Sequence, residues 1–295
     1  MTSRSLLKTL DAYLEVLKPG ATILLAFIGV AAAFIASHAL STAGAANRLA
    51  FVGITVLVAG AGANGLTNYL DRDIDRRMER TRGRALPSGR IHPAWRVLPL
   101  TISLTVVGLV LSWQIQPAFR LAFFADAIGT VAALAWRKRA TCVFPQGLLA
   151  GCAPVLIGWF AVRPAFSWEL ALLCGLIGLW LPLHVWSVMI SHREDYIAAG
   201  LKFFPMDRTN REAIKLLLIF SLALSVLSVT LYLVGNFSLF YLMAAIVLSA
   251  AMVYATSKLI VSFSVRRAWR LYKLSSFPYM GLIFLAMCVD VWLFR

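Results

Sequence analysis

Charged residues are scarce in this chain. Only 14% of its 295 residues are charged and 60% are hydrophobic, whereas soluble globular domains carry about a quarter charged residues. Apolar runs long enough to cross about 30 Å of hydrocarbon recur along the whole sequence and leave no room for a separate soluble domain. The composition therefore predicts an all-α integral membrane protein with a single domain over residues 1–295.

Cysteine is scarce as well, and no cysteine belongs to a CxxC pair or a His/Cys cluster. The four cysteines lie in or beside apolar runs: Cys142, Cys152, Cys174 and Cys288. This pattern argues against both a zinc site and a disulfide framework. The first apolar run follows basic residues but is roughly 20 residues long and lacks a small-residue cleavage site, so we interpret it as a retained helix rather than a signal peptide.

The spacing of the apolar runs predicts nine transmembrane helices. They cover residues 20–40, 49–70, 97–115, 118–136, 143–163, 168–190, 213–235, 237–257 and 275–294.

Acidic residues are few beside the basic ones, with 13 acids against 28 bases and a net charge of +15. If the nine helices alternate in direction, 24 of the 28 basic residues lie on one membrane face. The positive-inside rule makes that face cytoplasmic, with the N-terminus and loops 71–96 and 191–212 inside, and the plasma membrane is the default location. Charge confined to one membrane face argues against nucleic acid as a partner. Basic loops also serve simply to fix topology, and for loops 137–141 and 258–273 that interpretation is equally good.

The second predicted span ends in a run of acids, Asp71-Arg-Asp73-Ile-Asp75. If the helix continues, Asp71 and Asp75 share one face while Asp73 points away. Two carboxylates one turn apart can hold Mg²⁺ with positions left for phosphate oxygens. Arginines suited to phosphate follow at Arg80 and Arg84, although pairing with neighbouring arginines on a solvated helix end would also explain the acids.

A second polar cluster follows the sixth predicted span. It contains His184, Trp186, His192, Asp195 and Tyr196. With the first cluster it supplies the carboxylates for a second magnesium beside one diphosphate. Two further acids, Asp126 and Asp290, lie inside apolar runs, where a charge costs about 2.5 kcal/mol or more unless it is paired; function, snorkelling and a protonated carboxyl all explain them.

These motifs resemble the intramembrane UbiA-type prenyltransferases over nearly the whole chain. The stretch from Asn64 to Thr81 is similar to the first aspartate-rich motif of that family. Further elements resemble its heme-farnesylating branch, the protoheme IX farnesyltransferases: Lys138-Arg-Ala-Thr141, Pro154 to Trp159, His184-Val-Trp186-Ser187, Asp195 to Gly200, and Lys273-Leu-Ser275. One departure is Thr67, which stands where the family usually has Asn four residues before the first metal-binding Asp.

The resemblance implies Mg²⁺-dependent transfer of a farnesyl group from farnesyl diphosphate to a vinyl group of heme b, giving heme O. It implies Asp71, Asp75 and Asp195 as catalytic metal ligands, and a diphosphate site formed by Asn68, Arg80, Arg84, Lys138 and Arg139. Heme contacts would fall at His184, Trp186 and Tyr196. The implied partners are farnesyl diphosphate, heme b, the lipid bilayer, and a heme A synthase or terminal oxidase assembly.

Two alternatives stay open at this point. A UbiA-type enzyme can instead prenylate an aromatic quinone precursor, with the same chemistry and a different acceptor. A noncatalytic transporter or assembly factor would use the acids to bind a cation, but it predicts charges spread along a membrane pathway and an inverted repeat. The acids here gather in two segments at one face.

Overall fold

The computed structural model describes residues 3–37, 45–115, 119–135 and 146–294. Within these ranges the chain forms only helices. They are α1 (Ser3–Leu17), α2 (Pro19–Ser37), α3 (Ala45–Arg77), a 3₁₀ turn (Ala94–Val97), α4 (Leu98–Ile115), α5 (Leu121–Ala135), α6 (Leu148–Val162), α7 (Trp168–Ser191), α8 (Arg193–Ala198), α9 (Asn210–Val234), α10 (Leu239–Val261), α11 (Val265–Leu274), a π-helical turn (Ser275–Gly281) and α12 (Leu282–Phe294).

Seven helical segments in the described part of the chain are long and apolar enough to cross a membrane. They contain α2, α3, α4, α7, α9, α10 and the continuous run from α11 to α12. The predicted fourth and fifth spans correspond to α5 and α6, which are apolar but only 15 residues long each. Both predicted spans extend into residues 136–145, outside the described residues, so the number nine stays a prediction.

Small residues set the positions of the helices relative to one another. A Cβ on Gly158 of α6 would lie 1.9 Å from the carbonyl oxygen of Gly29 in α2, so the two backbones are in direct contact. In the same way, a Cβ on Gly108 of α4 would lie 2.7 Å from the Cα of Ala59 in α3. Small residues allow this close approach. Because the hydrophobic effect does not drive helices together within lipid, membrane helices associate largely through such close van der Waals packing.

Asp290 of α12 has a structural role. Its carboxylate accepts hydrogen bonds from the backbone N–H groups of Ser238 at 3.0 Å and Tyr241 at 3.1 Å, and from the Ser238 hydroxyl. These donors lie at the start of α10, where backbone N–H groups have no partner within the helix. A carboxylate there is stabilised by the hydrogen bonds and by the helix dipole, which accounts for one of the two intramembrane acids.

Two helices occupy segments that the sequence analysis treated as loops. The N-terminal segment forms α1, and the predicted loop 258–273 contains α11. On α1, Ala12 and Val16 pack in a small cluster with Ala85, Leu86, Ile91 and Val97, while its leucines are exposed. The exposed leucines are Leu6, Leu7, Leu10 and Leu14. Amphipathic helices of this kind typically lie in the membrane interface.

Candidate active site

The first aspartate motif lies on the last two turns of α3. As the sequence predicts, the helix continues past Asp75 and places Asp71 and Asp75 on its buried face, with exposures of 8% and 2%. Asp73 points to the exposed side and makes an ion pair with Arg72 at 3.7 Å. Two carboxylates one turn apart therefore face the interior of the bundle, and the third faces solvent.

The loop that follows α3 folds back over these carboxylates. Arg84 Nη1 lies 3.3 Å from Asp75 Oδ2, and the Thr81 hydroxyl donates to the carbonyl oxygen of Asp75 at 3.0 Å. This loop, residues 78–93, together with the C-terminal end of α3 and with α8, forms what we call the polar end of the bundle. A guanidinium group beside a nearly buried carboxylate compensates its charge and leaves further donors for an anion.

The second cluster meets the first at the polar end. Asp195 of α8 accepts hydrogen bonds from the backbone N–H groups of Glu79 at 2.6 Å and Arg80 at 3.1 Å. Next to it, Arg80 Nη2 donates to the Tyr196 hydroxyl at 3.3 Å. Two segments more than 100 residues apart in sequence are thus joined by three hydrogen bonds, so the structure brings the two predicted carboxylate clusters together.

Burial governs the chemistry of Tyr196. Desolvation raises the pKa of its phenol above the usual value, and the nearby charge and hydrogen bond of Arg80 only partly oppose this effect. The side chain is therefore a neutral hydrogen-bonding group at physiological pH. Arg80 Nε is also buried, and it makes no hydrogen bond within the described part of the chain. A buried donor of this kind is normally satisfied by a partner, and a phosphate oxygen is a suitable one.

A cavity of about 400 Å³ begins beneath the polar end and runs into the apolar bundle. Asp71 and Tyr196 line it, together with residues from five apolar helices, α2, α3, α5, α6 and α7. The α3 residues are spaced three, four or seven apart, as one helix face requires: Val56, Ala59, Gly60, Ala63, Asn64, Thr67 and Asp71. The carboxylates at the polar end can bind a cation, and Arg80 and Arg84 beside them can bind an anion. Together with the long apolar wall beyond, they suit an amphipathic ligand whose anionic head is bound with a cation.

The cavity residues absent from the predicted site include three with charged or amide side chains. Asn64 lies two turns before Asp71 on the same face, and that spacing of seven was available as a signal. Lys18 also lines the cavity, from the junction of α1 and α2. Asp126 lines it from α5; its position inside an apolar run was noticed, but no pattern in the sequence tied it to the aspartate motifs.

Other predicted site residues lie elsewhere. Asn68 donates from Nδ2 to the carbonyl oxygen of Val16 at 2.6 Å, which ties α3 to α1. His184 stacks between Trp180 and Tyr272, with ring centroids 4.8 and 4.6 Å away, and it is not among the cavity-lining residues. Trp186 packs against Phe204 and Phe220, also away from the cavity lining. Lys138 and Arg139 lie outside the described residues.

The donor set fits Mg²⁺ shared with a diphosphate better than it fits a closed protein site. Among the described residues, no three His, Cys, Asp or Glu side chains are grouped closely enough to hold a metal ion by themselves. Mg²⁺ usually keeps waters and substrate phosphate oxygens and takes only one or two carboxylates. Asp71 and Asp75, one helical turn apart and both turned inward, meet that requirement.

Comparison with known proteins gives matches over most of the chain. The model of the UbiA prenyltransferase family matches residues 22–277. The chain is 37% identical over 287 residues to the protoheme IX farnesyltransferase of Desulforudis audaxviator, covering 97% of this chain and 90% of the relative. It is 32% identical over 288 residues to the protoheme IX farnesyltransferase of Gloeobacter violaceus, covering 95% and 92%.

Solved structures show the same fold. A digeranylgeranylglyceryl phosphate synthase superposes with a TM-score of 0.74 at 20% identity, over 96% of this chain and 98% of that one. A UbiA homologue from Archaeoglobus fulgidus, bound to GPP and Mg²⁺, superposes with a TM-score of 0.58 at 14% identity, over 96% of this chain and 100% of that one.

Proposed function

Because this chain belongs to the UbiA prenyltransferase family, we propose that it transfers the farnesyl group of farnesyl diphosphate to a vinyl group of heme b and so makes heme O. The chain is a prenyltransferase and a multi-pass membrane protein. The choice of heme as acceptor is supported by the relatives named protoheme IX farnesyltransferase, which match this chain nearly end to end. The single observation that carries the reaction type is the cavity, with Asp71 at its head and an apolar wall beyond.

The proposed reaction begins with cleavage of the bond between farnesyl C1 and the diphosphate oxygen, whose electron pair leaves with the diphosphate. Asp71, Asp75 and Asp195 would hold Mg²⁺, which would supply positive charge to neutralise that leaving group. Arg80 and Arg84 lie at the same place and can donate hydrogen bonds to the departing oxygens. Fixed charges aimed at a developing anion are the principal source of rate acceleration here.

The apolar cavity then determines what captures the allylic cation. Its wall excludes water from C1, so the electron-rich terminal carbon of the vinyl group forms the new carbon–carbon bond. The positive charge moves to the vinyl carbon next to the pyrrole ring. A water molecule adds there and releases one proton, which completes a hydroxyethylfarnesyl side chain. The acceptor ring must approach from the polar end, where C1 would lie.

The proposal is tested by measuring heme O formation from heme b and farnesyl diphosphate in purified protein, with Mg²⁺ and with chelator. Asp71→Asn and Asp75→Asn should each lower kcat by at least about 100-fold, comparable to the loss of an essential charge-stabilising group. Asp73→Asn is the matched control, because this acid lies in the same motif but faces solvent beside Arg72. It should retain nearly full activity.

The second cluster is tested in the same assay. Asp195→Asn should disable the enzyme, whereas Glu194→Gln should not, since Glu194 is exposed on the same short helix. Equal effects of Asp73→Asn and Asp71→Asn would contradict the assignment. If an aromatic acceptor is prenylated in place of heme, the fold and the reaction type stand, and the proposed acceptor is wrong. Mg²⁺-independent binding without turnover would favour a transporter.

A further inference from the structure

The deep end of the cavity contains a carboxyl group that the reaction described above does not use. Asp126 of α5 lines the cavity and is 3% exposed. Its Oδ1 accepts a hydrogen bond from the Thr130 hydroxyl at 3.4 Å. The Ser112 hydroxyl of α4 also donates a hydrogen bond to this carboxyl group, and its Oδ2 is buried. A ligand that displaced the side chain would therefore break hydrogen bonds in a buried site.

The contacts between helices give the depth of Asp126. Gly129 of α5 faces Ala153 of α6, since a Cβ added to Gly129 would lie 2.4 Å from the Cβ of Ala153. The two helices are consecutive in the chain and pack against each other, and such neighbours in a helix bundle run antiparallel. Asp126, three residues before Gly129, therefore lies level with Ile157, four residues after Ala153.

The same reasoning extends the level to two more helices. Gly158, next to Ile157 in α6, lies against the backbone carbonyl of Gly29 in α2. Gly29 in turn faces α3, because a Cβ added to it would lie 2.9 Å from Val56 Cγ2. Ile28, Val56, Asp126 and Ile157 therefore share one level of the bundle, and all four line the cavity. We call these four residues the cavity floor. Three are aliphatic and one is a carboxylic acid.

The distance between the cavity floor and the aspartate motif can be compared with the length of a prenyl diphosphate. Fifteen residues of α3 separate Val56 from Asp71, which at 1.5 Å per residue is about 22 Å along the helix. With carbon–carbon bonds of about 1.5 Å, an extended isoprene unit advances about 5 Å, so three units reach about 14 Å and a metal-bound diphosphate adds about 6 Å. A fourth unit would pass the floor.

We propose that Asp126 limits the prenyl chain to three isoprene units. This inference rests on the proposed function and adds to it a residue that determines donor length. The farnesyl end stops short of the carboxyl, which keeps its bond from Thr130. A geranylgeranyl tail would have to displace the Asp126 side chain and break its hydrogen bonds, and it therefore binds more weakly.

The test is calorimetric binding of nonhydrolysable C10, C15 and C20 diphosphate analogues to the detergent-solubilised full chain with Mg²⁺, which requires no acceptor. The wild type should bind the C15 analogue at least tenfold more tightly than the C20 analogue. Asp126→Ala deepens the floor and should reduce that ratio below about threefold. Asp126→Asn keeps the size and polarity of the side chain and should preserve the ratio.

Asp126→Ser gives a second way to deepen the floor while keeping a group that can bond Thr130, and an intermediate ratio is expected. Ser249→Ala is the matched control, because it removes a buried polar atom from α10, away from the cavity lining, and should leave the ratio unchanged. Equal binding of C15 and C20 by the wild type, or an unchanged ratio in folded Asp126→Ala and Asp126→Ser, overturns the length proposal alone. If no analogue binds the wild type in the presence of Mg²⁺, the proposed function fails and the length proposal fails with it.

Discussion

Asn68 shows how one side chain can be recognised by its motif and still act through packing. Its amide donates to the Val16 carbonyl, across the contact between α3 and α1. Asn68→Ala leaves that carbonyl without its partner, and we expect a loss of about 1–3 kcal/mol in the free energy of unfolding. The measurement is thermal unfolding in detergent, with the exposed Asn47→Ala on the same helix as the control. An unchanged melting temperature with lost diphosphate binding would instead show a direct ligand role.

Tyr196 gives a prediction about pH. Because burial raises the pKa of its phenol, the group stays protonated across the neutral range and does not titrate there. Tyr196→Phe removes the acceptor for Arg80 and should raise KM for the prenyl diphosphate about fivefold, the value of one ordinary hydrogen bond. The pH profile between 6 and 9 should keep its shape. A loss of the alkaline limb in Tyr196→Phe would show that the phenol ionises during turnover.

At the residue scale, contacts between neighbours in sequence could be predicted, and contacts between distant segments could not. The shared face of Asp71 and Asp75 is a property of consecutive helical turns, and the sequence predicted it correctly. The hydrogen bonds from Glu79 and Arg80 to Asp195 join segments 115 and more residues apart, and only the tertiary fold specifies their geometry. The same holds for Asp126, whose relation to the cavity depends on how α5 packs against α6.

At the scale of elements, the contact between α2 and α6 holds the cavity wall together. Gly158→Ala places a methyl group against the backbone carbonyl of Gly29, and backbone atoms cannot move aside as a flexible side chain would. We expect a loss of more than about 3 kcal/mol, the upper range for an overpacked core, measured as a lower melting temperature and a lower yield of folded protein. Gly20→Ala in α2 is the control, since an added Cβ there meets nothing within 4 Å. Equal stability of the two variants would contradict the close packing.

The positions of the apolar helices were predictable from the sequence, and those of the amphipathic helices were not. A long apolar run identifies a span by composition alone, so α2, α4, α9 and α10 fall close to their predicted ranges. By contrast, α1 and α11 mix charged and apolar residues, and a search for uniform apolarity passes over them. In both helices the apolar and the charged residues recur with the helical repeat, and this periodicity is the signal that would have found them.

At the scale of the whole molecule, the distribution of charge predicts how the chain crosses the membrane. If the nine predicted helices alternate in direction, 24 of the 28 basic residues lie on one face, and the positive-inside rule predicts that this face is cytoplasmic. Nine helices with the N-terminus inside would place residue 295 outside the cytoplasm. A reporter that folds only outside the cytoplasm should then be active when fused after residue 295, and one that folds only in the cytoplasm should be inactive there. The reverse pattern would place the aspartate motifs on the outer face, away from a cytoplasmic supply of prenyl diphosphate.

The central claim is that the apolar cavity delivers a farnesyl group from its magnesium-bound diphosphate to heme. The most direct test supplies purified protein in lipid nanodiscs with farnesyl diphosphate, Mg²⁺, and equal amounts of heme b and a hydroxylated aromatic acid, and identifies the products by mass spectrometry. Our account predicts that hydroxyethylfarnesyl heme accumulates while the aromatic acid is unchanged, and that Asp71→Asn abolishes the product. Prenylation of the aromatic acid with heme b left intact would contradict it.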